Sequence, residues 1–195
     1  MKRLSLYLFL ILFTLQTPSQ ADDIRDFQIE GMSVGDSLLD YFDEKKLKKI
    51  KLKHDFKKKI HNKYCDKSLS SIYSDVCIYT LTKDKTYKIE SITGFLDCVD
   101  DIKACYKKQN EIDSELKTLF KNAKRDVYSY NHAGDKTGNT KEKDIIYLLK
   151  SKDEVGIAVL DYGKEWTNLS VGREDHLQVF VDSKDYARFL REDAW

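Results

Sequence analysis

The sequence predicts an α+β domain, with a mostly antiparallel sheet of about six strands and helices packed on one face. Three observations carry this. Strand-like runs lie in neighbouring pairs joined by short polar turns, Lys83-Asp84-Lys85 and Ser151-Lys152-Asp153, and such connections make antiparallel hairpins. One long stretch, residues 101–122, repeats Ile102, Cys105, Ile112, Leu116 and Leu119 at helical spacing, which reads as an amphipathic helix lying across the sheet. Hairpins also outnumber crossovers, which separates this pattern from an α/β fold.

Residues 1–21 read as a secretory signal peptide. Lys2 and Arg3 make the basic start, an apolar run follows, and Ser19-Gln20-Ala21 offers small residues for cleavage. The apolar run is about a dozen residues, whereas a membrane span needs ~20. The expectation is therefore a periplasmic or secreted product, residues 22–195, forming one domain with no membrane-spanning segment. Loss of Lys2 and Arg3 takes the basic count from 34 to 32 against 33 acids, a net charge of −1. That balance gives no electrostatic reason to expect nucleic acid as a partner.

Residues 30–42 hold the letters closest to a catalytic motif, Gly35-Asp36-Ser37-Leu38. They also fit a capped helix start. Ser33 with Asp36 three residues on has capping-box spacing, and Val34, Leu38, Tyr41 and Phe42 make an apolar stripe. The motif resembles that of GDSL-type serine hydrolases, which implies Ser37 as nucleophile. Such an enzyme needs a buried parallel strand before the serine and an acid three residues before its histidine. Here the preceding run mixes charges with apolar groups, and Arg173 stands where the acid of His176 belongs. Ser37 and His176 are thus disfavoured as a catalytic pair, and no catalytic residue is assigned.

Residues 43–63 carry ten lysines, with Leu47, Ile50, Phe56 and Ile60 scattered among them. The expectation is a solvated, weakly ordered helical arm, with a basic surface for acidic lipid, polysaccharide or protein as the functional alternative. Strands are expected at residues 73–81, 87–95, 127–130, 144–150, 155–162 and 177–181. Ser183 is expected to cap a closing helix that bears Tyr186, Phe189 and Leu190. The polar loop at residues 131–139 reads as a hairpin tip able to cradle an anion.

Cys65, Cys77, Cys98 and Cys105 form an even set, which in an oxidising compartment reads as two bridges with three possible connectivities. The local pairs Cys65–Cys77 and Cys98–Cys105 are favoured. Seven helical residues span ~10.5 Å, beyond the reach of a disulfide, so the helix must begin after Cys98, with Asp100 as its cap. No Cys-x-x-Cys spacing supports zinc or redox chemistry, and no metal or cofactor is expected. The loop bearing Tyr162, Lys164, Glu165 and Trp166 combines aromatics with both charge signs and is the predicted contact surface. Asp161 and Glu165 could pair as glycosidase carboxylates, but no second feature of the sequence supports that.

Four runs carry a resemblance: residues 30–42, the stretch Cys105-Tyr106-Lys107-Lys108-Gln109-Asn110-Glu111-Ile112, the loop Asp161-Tyr162-Gly163-Lys164-Glu165, and the closing helix. Together they resemble a family of small exported proteins of marine alphaproteobacteria that has no assigned activity. The Gly31-Met32-Ser33 turn and the order of elements are also similar to small envelope modules of the β-lactamase-inhibitor-protein or outer-membrane assembly lipoprotein type. These resemblances fix no catalytic residue or cofactor, and the leading reading is a non-enzymatic binding module of the cell envelope, with an unknown envelope protein or, from the lysine-rich run, a polyanionic surface as partner. A small-ligand carrier with a tyrosine-lined apolar pocket is the alternative.

Overall fold

The computed structural model describes residues 23–53, 56–98, 101–132, 135–165 and 174–194. Its strands are β1 (Lys51–Leu52), β2 (His61–Cys65), β3 (Asp75–Leu81), β4 (Ile89–Asp97), β5 (Lys124–Asn131), β6 (Lys141–Leu148), β7 (Glu154–Asp161) and β8 (His176–Asp182). They form one sheet in the order β1-β2-β3-β4-β8-β7-β6-β5, antiparallel throughout. Two four-stranded meanders thus meet edge to edge where β4 pairs with β8. Among the described residues the helices are α1 (Glu44–Ile50), α2 (Ile102–Leu119) and α3 (Lys184–Glu192). The class is α+β, but the sheet has eight strands where about six were expected.

The two additional strands, β1 and β2, come from the lysine-rich segment. Only Glu44–Ile50 of that segment is helical, capped by the Asp43 carboxylate on the Lys46 N–H at 2.7 Å. The expected helical arm is replaced by an edge of the sheet. β2 reads His-Asn-Lys-Tyr-Cys, with no apolar alternation to announce a strand. Its order comes from β3, against which Cys65 lies directly opposite Cys77.

Helices cover both faces, which corrects the expectation of one. Side chains along a strand alternate between faces, and β3 is buried on both. Val76 and Ile78 enter the larger core with Cys105, Ile112 and Leu116 of α2. Cys77 and Tyr79 enter a smaller core with Tyr186 and Phe189 of α3. A strand with two apolar faces needs two covers, and the closing helix supplies the second. Ser183 caps it as expected, accepting from the Tyr186 N–H at 3.1 Å.

Residues 23–42 form a strap over the larger core, and this corrects the helix predicted to start at Ser33. Gly35 has φ +99°, outside helical space, and Glu30 and Gly31 are also left-handed at +53° and +76°. The Asp36 carboxylate does reach back to the Ser33 N–H at 2.9 Å. The chain then pairs with β4 instead of coiling: the Gly35 N–H donates to Ile89 O at 2.9 Å, and the Ile89 N–H to Asp36 O at 2.8 Å. Ile29, Met32 and Leu38 are fully buried beneath the strap, each contributing about 2 kcal/mol by removal from water. Long-range pairing and burial outweigh the local helical stripe.

Candidate binding surface

Ser37 and His176 are far apart. Ser37 bridges to Lys88, just before β4. Its hydroxyl donates to Thr86 O at 2.6 Å and caps a short 3-10 turn through the Leu39 N–H. His176 lies opposite Asp97, at the other end of β4, ~30 Å away for nine extended residues. Its Nδ1 donates to Glu174 O at 2.8 Å and its Nε2 faces the Gln178 amide. Burial holds its pKa below the ordinary value, so the ring is neutral at neutral pH.

Of the predicted contact loop, Tyr162, Lys164 and Glu165 lie among the described residues. Tyr162 stacks near His176, with ring centroids 5.7 Å apart, and its N–H donates to Asp175 at 2.7 Å. Lys164 and Glu165 point to solvent, and Trp166 lies outside the described residues. Asp161 is raised in pKa by burial and then by the charge of Asp175. Its carboxylate neighbour is therefore Asp175 rather than the Glu165 weighed from the sequence. In the 131–139 loop, Asp135 takes the Thr137 and Thr140 N–H groups at 2.9 and 2.8 Å. Those donors hold the loop's own carboxylate, so they are not free for an external anion.

Both disulfides form in the favoured pairing, with Cα separations of 4.1 Å for Cys65–Cys77 and 5.9 Å for Cys98–Cys105. α2 begins at Ile102, after Cys98, as the span of a helix requires. Its cap is Asp101, accepting from the Ala104 N–H, rather than Asp100. Among the described residues, the one cluster of three metal-type side chains is Cys65, Asp75 and Cys77. Both sulfurs are in the bridge and offer no thiolate.

Two clefts lie at the β1–β2 end. A cleft of about 350 Å³ is lined by Glu44, Lys51, Asn62, Tyr64, Thr82, Asp84, Lys85 and Tyr87. A second, of about 300 Å³, adds Leu52, Lys53, Lys59 and His61 and shares Lys51, Asn62 and Thr82. The two flank the same strand edge. Residues 43–67 hold eleven lysines against four acids, a net +7, which leaves −8 for the rest of residues 22–195.

Some of that charge is paired: Lys46 with Asp66, Lys48 with Glu44 and Lys58 with Asp193. Lys45, Lys49, Lys51, Lys53 and Lys57 are exposed and make no ion pair among the described residues. The lysine count was legible in the sequence. Its ordered placement was not, because β2 has no strand signature of its own. No protein-family model, no curated protein and no solved structure matches the chain.

Proposed function

We propose that the protein is an exported, non-enzymatic binding module of the cell envelope whose lysine-rich edge docks on a polyanionic chain. The observation that carries the reading is that α1, β1 and β2, drawn from residues 43–67, form an ordered edge. Lysines on α1 and β1 are held by the sheet, so their charge is presented with little further ordering entropy. The excess of seven positive charges sits on a chain whose remainder is negative, which orients an approaching polyanion toward this end. Of the flanking clefts, the one lined by Lys51, Lys53 and Lys59 with no acid suits a carboxylated or sulfated glycan, whereas the other balances Lys51 and Lys85 with Glu44 and Asp84.

The test is salt elution from immobilised heparin as the polyanionic probe. Native protein is expected to be retained, and Lys49→Glu/Lys51→Glu/Lys53→Glu to elute at much lower salt with its fold unchanged. Lys49, Lys51 and Lys53 are exposed and make no ion pair among the described residues, so stability should move by less than about 0.5 kcal/mol. Co-elution of the triple variant with the native protein would exclude this surface.

A further inference from the structure

The opposite edge of the sheet is built differently. β5 runs for eight residues, Lys124–Asn131, and ends the strand order with β6 as its one neighbour. Val127, Tyr128 and Tyr130 on it are 46, 48 and 45 % exposed. Its charges stop at Asp126, and the remaining Val-Tyr-Ser-Tyr-Asn has none. An exposed edge stretch without charge, proline or a bulge, as in the last five residues of β5, is a template for pairing with another strand.

The hydrogen-bond phase of β5 shows which groups are open. His132 donates its N–H to Thr140 O at 2.9 Å, in the register that sets Tyr130 opposite Glu142 and Tyr128 opposite Asp144. Bonded pairs alternate along an antiparallel ladder. Even-numbered residues therefore direct their backbone groups to β6. Arg125, Val127, Ser129 and Asn131 direct theirs outward.

We propose that β5 is an interface between two copies of this chain, paired antiparallel about a two-fold axis at Tyr128 to extend the sheet across both molecules. A two-fold perpendicular to the sheet keeps each face on its own side, so same-parity residues must oppose. Centring on Tyr128 sets Arg125 against Asn131 and Val127 against Ser129, each twice. That register uses every outward residue of the strand and forms about eight inter-chain hydrogen bonds. It also sets Tyr128 against Tyr128 and Asp126 against Tyr130, with no like charges opposed. Centring on Arg125 or Asp126 would oppose like charges directly, which is destabilising. The self-matching of the strand points to a second copy as the occupant, in an isologous interface. The inference is independent of the polyanion reading, since the lysine edge lies at the far end of the sheet.

Light scattering and sedimentation of the purified protein over a concentration series test it. The mass is expected to rise from monomer to dimer. Ser129→Pro removes an outward N–H and Val127→Lys adds an edge charge. Each should give a monomer throughout, with a native circular dichroism spectrum. Tyr128→Cys tests the register: mild oxidation should link two copies through position 128, while Asp126→Cys on the same face should link few. A native protein that stays monomeric would overturn the proposal. So would a dimer indifferent to both edge variants, or a monomer whose β5 amides become protected only on adding an unrelated extended peptide, which would assign the edge to another chain.

Discussion

The two edges of the sheet end in opposite ways. At one, β1 is two residues long and begins with Lys51, beside a helix bearing Lys45, Lys46, Lys48 and Lys49. Shortness and charge are both means of preventing strand addition, so this edge meets its surroundings through electrostatics. At the other, β5 is eight residues long and carries only Lys124, Arg125 and Asp126 as charges. Its outward backbone groups have no strand beside them among the described residues. One sheet therefore carries two kinds of recognition, by charge at one end and by main-chain hydrogen bonds at the other.

The edges are also held down differently, and the largest expected effect lies there. β5 is anchored through Arg125, whose guanidinium makes a two-pronged contact with Asp113 of α2 at 2.7 and 2.9 Å. Lys117 and the Tyr147 hydroxyl complete the cluster at 2.7 and 2.6 Å. Burial raises the Asp113 pKa, but the bonds from Arg125, Lys117 and Tyr147 outweigh it and hold the group at about 2. The folded value is depressed, so this contribution is complete above pH ~4 and lost as pH falls through about 2. Asp113→Ala strands the Arg125 charge and is expected to cost about 4 kcal/mol in urea unfolding. Amide exchange should rise first in β5. Equal loosening of β2 would contradict the separate anchoring of the two edges.

The lysine edge is tied covalently instead, by Cys65–Cys77 between β2 and β3. Closing a loop of this length contributes about 3 kcal/mol. Cys65→Ala/Cys77→Ala should lower stability by that amount and speed exchange in β2, leaving β5 protected. The same variant should bind heparin more weakly, because its lysines are no longer fixed. Unchanged binding would mean that charge suffices without order.

The smallest effect concerns pH. Behind β5, Glu142 is held up to about 7, first by burial and then by the charge of Asp144, whose carboxylate accepts from Tyr130 at 2.6 Å. Its folded pKa lies above the unfolded value, so the stability it adds is full below pH ~4 and lost as pH rises through about 7. Thermal unfolding should come at lower temperature at pH 8 than at pH 5, and Glu142→Gln should flatten that dependence. Exchange in β6, corrected for intrinsic rates, should show the change more than exchange in β2.

Much of the second meander was legible. Residues 144–150, 155–162 and 177–181 are strongly apolar, and the turn between the first two is polar and short. The structure places β6, β7 and β8 there. The long helix was also readable from its repeats, and Ser183 from its position before an apolar stripe. The helix predicted at Ser33 failed because Gly35 takes φ +99° and the chain finds partners in Tyr87 and Ile89. The second face failed because β3 carries apolar residues on both sides, and a linear pattern does not say what covers each.

The sequence by itself determined the local things: alternation, helical repeats, caps, and the two short-range cysteine pairings, all set by neighbours within about twenty positions. Only the tertiary structure decided that His61-Asn62-Lys63-Tyr64-Cys65 is a strand, that α2 and α3 lie on opposite faces, and which edge stays open. The physical reason is that a strand's hydrogen-bonding groups are satisfied by residues remote in the chain. A segment with weak preferences of its own takes the conformation its distant partner completes.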